Sequence, residues 1–256
     1  MENPDRVSLL FSGGADSTLA AARLAADHEG IDLVTFKHYA TWHISASGKS
    51  EDRLRAKYPK VRFRHAYLNS SALFLKLQAR LLRDLPGHPF LNLYFCGACK
   101  LAMHTQLAAY NLRNGIRTAA SGASRFMPMF PDQTPGGIEA LQEHLYGPLG
   151  LILKSPVFET ERSDHEAMAL GLLDRKHLKA EHKASFTKFS DIIIPFKNAL
   201  LNTQGFCFHI AFVDSYLFFA RKRYSNPEVS RMSEGYYERL IKEVCLPLAR
   251  NSSGGK

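Results

Sequence analysis

Near the N-terminus an apolar run, Val7-Ser8-Leu9-Leu10-Phe11, stops at Ser12-Gly13-Gly14 and gives way to apolar residues at helical spacing: Leu19, Ala20, Ala22, Leu24 and Ala25. A short apolar run with β-branched and aromatic character reads as a strand buried on both faces. A helix that begins a few residues beyond such a strand folds back over the sheet it belongs to. The same rhythm continues. Strands are expected at 31–36, 61–67, 117–121 and 151–153, with helices at 50–58, 70–84, 97–114 and 162–173 between or after them. This alternation predicts a doubly wound, mainly parallel α/β sheet of about five strands. A Pro- and Gly-rich stretch at 126–150 is expected to be a flexible segment over the sheet's C-terminal edge, and the βα rhythm fades beyond Asp174. Two regions follow: an α/β domain over residues 1–174, and a mainly helical region over 175–256 that ends in a disordered tail at 251–256.

The string Ser12-Gly13-Gly14-Ala15-Asp16-Ser17-Thr18 carries the chemistry. Two glycines let the backbone turn tightly and bring its N–H groups close to a ligand. The helix start that follows adds unsatisfied N–H groups and a positive dipole end, which favour an anion. Ser17 and Thr18 add hydroxyls. The string lacks the Lys of a Walker loop and the spacing of G-x-G-x-x-G. A plain Gly turn with Asp16 capping the helix is the bland alternative.

Ser-Gly-Gly-Ala-Asp-Ser-Thr resembles the PP-loop, S-G-G-x-D-S, of the ATP pyrophosphatase superfamily (adenine nucleotide alpha hydrolase-like), and its place after the first strand matches. The resemblance covers roughly residues 6–173. It implies a Rossmann-like sheet that binds ATP with Mg²⁺. It also implies a reaction in which a substrate oxygen attacks the α-phosphate, pyrophosphate leaves, and sulfur or nitrogen displaces the adenylate. On this reading Ser12, Gly13, Gly14, Ala15, Ser17 and Thr18 hold the pyrophosphate, and Asp16 organises Mg²⁺. Phe36, Lys37 and His38, at the end of the second strand, lie where such folds meet adenine or ribose. Ser121 and Gly122, followed by Arg125, resemble the family's second nucleotide loop, and Lys154-Ser155-Pro156 its Pro-containing stretch before the last core helix.

Four cysteines, at 96, 99, 207 and 245, are too few for a disulfide scaffold and suit a reducing, cytoplasmic setting. Cys96 and Cys99 sit one turn apart at an expected helix start beside Lys100, a setting that lowers thiol pKa. By itself a C-x-x-C fits a redox pair, half a zinc site with His104 nearby, two core thiols or a cluster ligand set. Behind a PP-loop, Cys-x-x-Cys-Lys resembles tRNA-thiolating members. One subgroup of these adds a distant third cysteine and holds a [4Fe–4S] cluster with one open iron; Cys207 is the natural third ligand. Cys207 also fits a small core residue between Phe206 and Phe208, and Cys245 reads as core. Zinc is the alternative metal, with His104 or His209 as a further ligand.

The net charge of +9 is unevenly spread: −2 over 1–50, +10 over 51–125, −6 over 126–174 and +7 over 175–256. The two basic blocks contain all the cysteines, and a basic surface attracts polyanions. With about five residues ahead of the first strand, RNA is expected to be held by the core and the C-terminal region. The aromatic series Phe206, Phe208, Phe212, Tyr216 and Phe219 fits core packing better than a base-stacking platform. No apolar run reaches the roughly 20 residues of a membrane helix, and the charged start Met1–Arg6 gives no secretory signal. The leading expectation is an ATP-dependent adenylating sulfurtransferase that thiolates a tRNA base, with AMP and pyrophosphate released and the sulfur donor open. The alternatives are an amide- or nitrile-forming enzyme resembling 7-cyano-7-deazaguanine synthase, whose C-terminal cysteine cluster is not visible here, and a non-catalytic nucleotide sensor. A homodimer is compatible with each.

Overall fold

The computed structural model describes residues 6–39, 41–42, 45–84, 94–125, 131–174, 206–207 and 234–253. Its centre is a parallel sheet of five strands: β1 (Arg6–Leu10), β2 (Gly30–Lys37), β4 (Arg62–Asn69), β5 (Thr118–Ala120) and β6 (Ile152–Lys154). Their order is β4-β2-β1-β5-β6, with Val7 in register with both Ile31 and Thr118, and Ala120 with Lys154. A two-residue strand, β3 (Thr41–Trp42), pairs antiparallel with β7 (Phe206–Cys207) outside the main sheet. The Rossmann-like α/β architecture expected from the alternating pattern is present.

Period-two alternation sorts the strand side chains onto two faces. Val7, Leu9, Ile31, Leu33 and Phe63 face α1 (Ala15–Leu24), α2 (Ala46–Lys57) and α6 (Ser163–Ala169) in one buried cluster. Val34, Phe36 and Ala119 face α3 (Ser71–Asp84) and α4 (Tyr94–Asn114) in the other. Residues 234–240 are helical and run through a π turn at Ile241–Cys245 into α7 (Leu246–Ser253). Tyr237, Leu240, Ile241, Cys245 and Ala249 from this stretch join the α3–α4 cluster, so Cys245 is the core residue its neighbours suggested. Among the described residues no helix is long and apolar enough to cross a membrane.

Several boundaries differ from expectation. The stretch 131–149, expected to be flexible, is almost wholly helical. It comprises a 3₁₀ turn at Pro131–Gln133, α5 (Pro135–Leu141), a π turn at Gln142–Tyr146 and a 3₁₀ turn at Gly147–Leu149. Here Pro135 follows the N-cap Thr134, whose hydroxyl accepts from Gly137 N at 3.0 Å, and proline suits a first helical turn. Leu141, Leu145 and Tyr146 are fully buried and pin the segment to α4. Helix α2 starts four residues earlier than expected and α4 three residues earlier, whereas α6 is shorter. Phe206, read as the first member of a helical aromatic stripe, is in a strand. Phe208, Phe212, Tyr216 and Phe219 lie outside the described residues, as does the 254–256 end of the tail, whereas 251–253 are helical.

The second core encloses a titratable group. His104 is buried on α4 with Nδ1 2.9 Å from the Tyr146 hydroxyl. Burial, with a smaller contribution from the Lys100 charge, pushes its imidazole down to about 3. Unfolding returns it to about 6.5. Between those values the unfolded chain binds the extra proton, so stability falls as pH drops below 6.5. The expected loss is about 2 kcal/mol between pH 7 and pH 5. Urea unfolding midpoints at the two pH values measure it, and His104→Asn is expected to flatten the fall.

Candidate nucleotide and thiol site

In the order β4-β2-β1-β5-β6 the chain leaves β1 toward one side of the sheet and returns to the other side through β5. Ligands of open α/β sheets bind at that reversal, beyond the carboxyl ends of the strands. The segment Ser12–Thr18 after β1 and Ser121–Gly122 after β5 both lie there. They touch: a Cβ added to Gly122 would lie 2.9 Å from Ser17 N.

Three carbonyls of the turn are engaged by hydrogen-bond donors. Thr35 Oγ1 donates to Phe11 O at 2.6 Å, and Ser50 Oγ donates to Gly13 O at 2.8 Å. Thr18 N, at 2.9 Å, and Ser17 Oγ, at 3.2 Å, both donate to Gly14 O. Gly13 has φ +75°, and Gly14 caps α1 without a side-chain cap hydrogen bond. The first amides of α1 thus carry no capping side chain, while the partial negative charges of Phe11, Gly13 and Gly14 are engaged from behind. That combination suits an anion with several oxygens.

The hydroxyls divide into two groups. Ser12 is exposed, with Oγ accepting from Gly14 N at 3.3 Å and lying 3.1 Å from Ser17 Oγ. Ser17 is buried and braces the loop, accepting from Ser12 N at 3.3 Å. Thr18 is fully buried with its hydroxyl unpartnered, so its part in the loop is its amide. Ala15 is buried on the first turn of α1. Asp16 is half-buried and accepts a hydrogen bond from the Ser163 hydroxyl at the start of α6. Ser121 Oγ lies 3.2 Å from Ser155 Oγ, joining the second loop to the Lys154-Ser155-Pro156 stretch. The guanidinium of Arg125 pairs with Glu159.

At the end of β2 the three expected residues face different ways. Phe36 is buried in the α3–α4 core, whereas Lys37 is exposed. His38 is buried, its ring 4.6 Å from that of Phe74 and its Nε2 3.3 Å from Cys99 Sγ. Because α4 begins at Tyr94, Cys96 lies in its first turn and Cys99 in its second, where the pull of the helix N-terminus on a thiol is weaker. Lys100 reaches Asp132, Nζ to Oδ2 at 3.9 Å. His104, offered as a zinc ligand, is taken up by Tyr146, and His209 lies outside the described residues.

Cys207 is placed by its strand. It is in register with Thr41, whose hydroxyl donates to His38 O at 2.8 Å and accepts from His38 N at 2.9 Å. The strand of Cys207 therefore meets the same turn that carries the partner of Cys99. Among the described residues no group of three or more His, Cys, Asp or Glu side chains is placed to hold a metal ion.

Among the described residues of the first basic block, several cations are tied into ion pairs rather than gathered on this edge. Arg53 pairs with Asp174, Arg55 with Glu51, and Arg80 with Asp84 and Glu243. Lys57, Lys60, Arg62 and Arg64 are exposed around the start of β4, while the nucleotide edge lies at its far end. At about 3.3 Å per residue the eight-residue strand separates those ends by about 23 Å. Lys37 at the end of β2, Lys49 in the first turn of α2 and Lys154 at the end of β6 are exposed cations near the nucleotide edge.

Sequence reasoning missed Thr35, Ser50, Glu51, His65 and Ser163. Each supports the loop from another element, and none belongs to a contiguous motif.

No protein-family model matches the sequence, and no curated protein matches it. Similar solved structures include a predicted subunit of tRNA methyltransferase from Methanocaldococcus jannaschii, at 17% identity, 64% of this chain, 74% of that one and TM-score 0.42. They also include the U34-tRNA thiolase NcsA from Methanococcus maripaludis with its [4Fe–4S] cluster, at 13% identity, 95% of this chain, 74% of that one and TM-score 0.42. At these scores neither brings a residue role or an activity to this chain, and the strand order and loop geometry stand on their own.

Proposed function

We propose that this protein binds ATP on the Ser12–Thr18 loop and uses it to activate a carbonyl carbon of a tRNA base for replacement of oxygen by sulfur. The observation that carries the ATP reading is the set of donors from Thr35, Ser50, Ser17 and Thr18 that occupy the loop's carbonyls beside a helix start without a capping side chain. In the reaction the base oxygen attacks the α-phosphorus, the bond from that phosphorus to the β-bridging oxygen breaks, and pyrophosphate leaves with the electron pair. Sulfur then attacks the activated carbon, and AMP departs with the original base oxygen. The loop amides stabilise the charge that grows on the leaving pyrophosphate. Asp16, held by Ser163 through one oxygen, fits a partner for Mg²⁺ through the carboxylate.

The thiols carry the sulfur reading. Cys99 beside His38, with the Cys207 strand on the same turn and Cys96 one turn away, forms a cysteine-bearing corner at the carboxyl end of β2. A cluster with one open iron, if held by Cys96, Cys99 and Cys207, would supply a place for sulfide. Residues 1–174 serve as the nucleotide domain, and 175–256 supply Cys207 and contacts to RNA. ATP consumption assayed with and without tRNA and sulfide tests the proposal. Turnover that needs both supports it, and turnover with ammonia and a small carboxylate in the absence of RNA overturns it.

A further inference from the structure

His65 on β4 is part of a chain of hydrogen bonds that ends on the nucleotide loop. Its Nδ1 lies 2.6 Å from Glu51 Oε2 on α2, and its Nε2 lies 2.7 Å from Thr35 Oγ1 on β2. Thr35 has one hydroxyl proton, and the 2.6 Å contact to Phe11 O requires it there. Thr35 therefore accepts from His65, so Nε2 carries a proton. On its other side the Nδ1 of the ring is hydrogen-bonded to the Glu51 carboxyl, so the ring bridges α2 and Thr35. Burial opposes the charge on Glu51, yet hydrogen bonds with His65 and Arg55 hold its carboxyl below the ordinary carboxylate range.

The surroundings of the ring are complete on every side. Glu51 and Arg55 face it from α2, Thr35 from β2, and Tyr67 stacks on it at 4.3 Å from β4. The ring of Phe11 meets it edge-on at 5.6 Å. The side chain of His65 is only 6% exposed, so the ring is held away from solvent between its partners. The same helix α2 donates Ser50 Oγ to Gly13 O. One helix thus governs two loop carbonyls, one directly and the other through His65 and Thr35.

We infer that Glu51, His65 and Thr35 form a positioning relay that holds the Phe11 carbonyl out of the anion site and thereby sets the affinity of the loop for polyphosphate. The relay rests on the ATP reading of that loop. None of the three residues touches the reacting atoms; they act through the backbone of Phe11.

Calorimetric titration of the full chain with inorganic pyrophosphate and with ATP tests the relay. Thr35→Val keeps the shape and removes the hydroxyl; it is expected to raise both Kd values about tenfold in protein that still melts cooperatively. Thr35→Ser restores the hydroxyl and is expected to bring both back to within about twofold of wild type. A merely structural role would lower the melting temperature and leave the Kd of folded protein unchanged. If Thr35→Val does not fold, Glu51→Gln decides, with an expected rise of about threefold. Folded Thr35→Val or Glu51→Gln protein with wild-type Kd values overturns the relay, and so does Thr35→Ser that binds as weakly as Thr35→Val. Failure of wild-type protein to bind either ligand overturns the nucleotide reading itself, an outcome visible before any variant is made.

Discussion

Replacement of Gly13 by alanine is expected to raise the Kd for ATP and pyrophosphate at least about a hundredfold and to cost about 2–4 kcal/mol of stability. Two effects add. Gly13 sits at φ +75°, where a residue with a Cβ is strained by about 1–2 kcal/mol. The new methyl would also lie 2.6 Å from Ser47 Cα, 3.1 Å from Ser47 Cβ and 3.3 Å from Ser47 N. Those atoms belong to α2 and cannot rotate away, so the loop or the helix has to shift. Either shift separates Ser50 Oγ from Gly13 O and frees a carbonyl to point toward the phosphates. Gly48→Ala is the control on the same helix, because a Cβ there meets nothing within 4 Å. It is expected to leave the Kd unchanged. Calorimetry and urea unfolding of the two variants measure both effects, and Gly13→Ala with a near wild-type Kd would remove the loop from the account.

Cys99→Ala is expected to reduce sulfur incorporation into tRNA about a thousandfold while a single turnover of pyrophosphate release persists within severalfold of wild type. The split follows from the proposed order of the two chemical steps, in which activation uses the loop and sulfur transfer the thiol corner. Cys99 is 8% exposed, and its loss to alanine removes one sulfur atom from the second turn of a long helix, so a folding cost of about 1 kcal/mol is expected. Thiolated nucleoside quantified by mass spectrometry, beside pyrophosphate measured in the same quenched sample, separates the steps. Wild-type thiolation by Cys99→Ala would assign the sulfur chemistry elsewhere.

What could be read from the sequence was contiguous. Val7–Phe11, the glycine turn and the apolar spacing of α1 lie in one stretch, and each dictates the next element, so the sheet and the place of the candidate loop within it were legible. The support of the loop was not. Thr35, Ser50, Glu51 and His65 come from β2, α2 and β4, and only the register of Thr35 with Tyr67 brings His65 on that neighbouring strand under the loop. The segment 131–149 misled for a different reason. Its prolines and glycines resemble coil, yet Pro135 starts a capped helix. Gly137 is there for closeness, since a Cβ would fall 1.6 Å from Pro131 O. Net charge gave a partner class without a location. In three dimensions part of the basic excess is tied into ion pairs, and Lys57, Lys60, Arg62 and Arg64 lie by the start of β4, so an RNA held there has to reach across the sheet to the loop.

The measurement closest to the central claim follows α-labelled ATP in the presence of tRNA and sulfide. The account predicts AMP and pyrophosphate in a one-to-one ratio with thiolated nucleoside, and no nucleotide consumed when RNA is left out. Formation of ADP and phosphate, or thiolation that proceeds without loss of ATP, would contradict it.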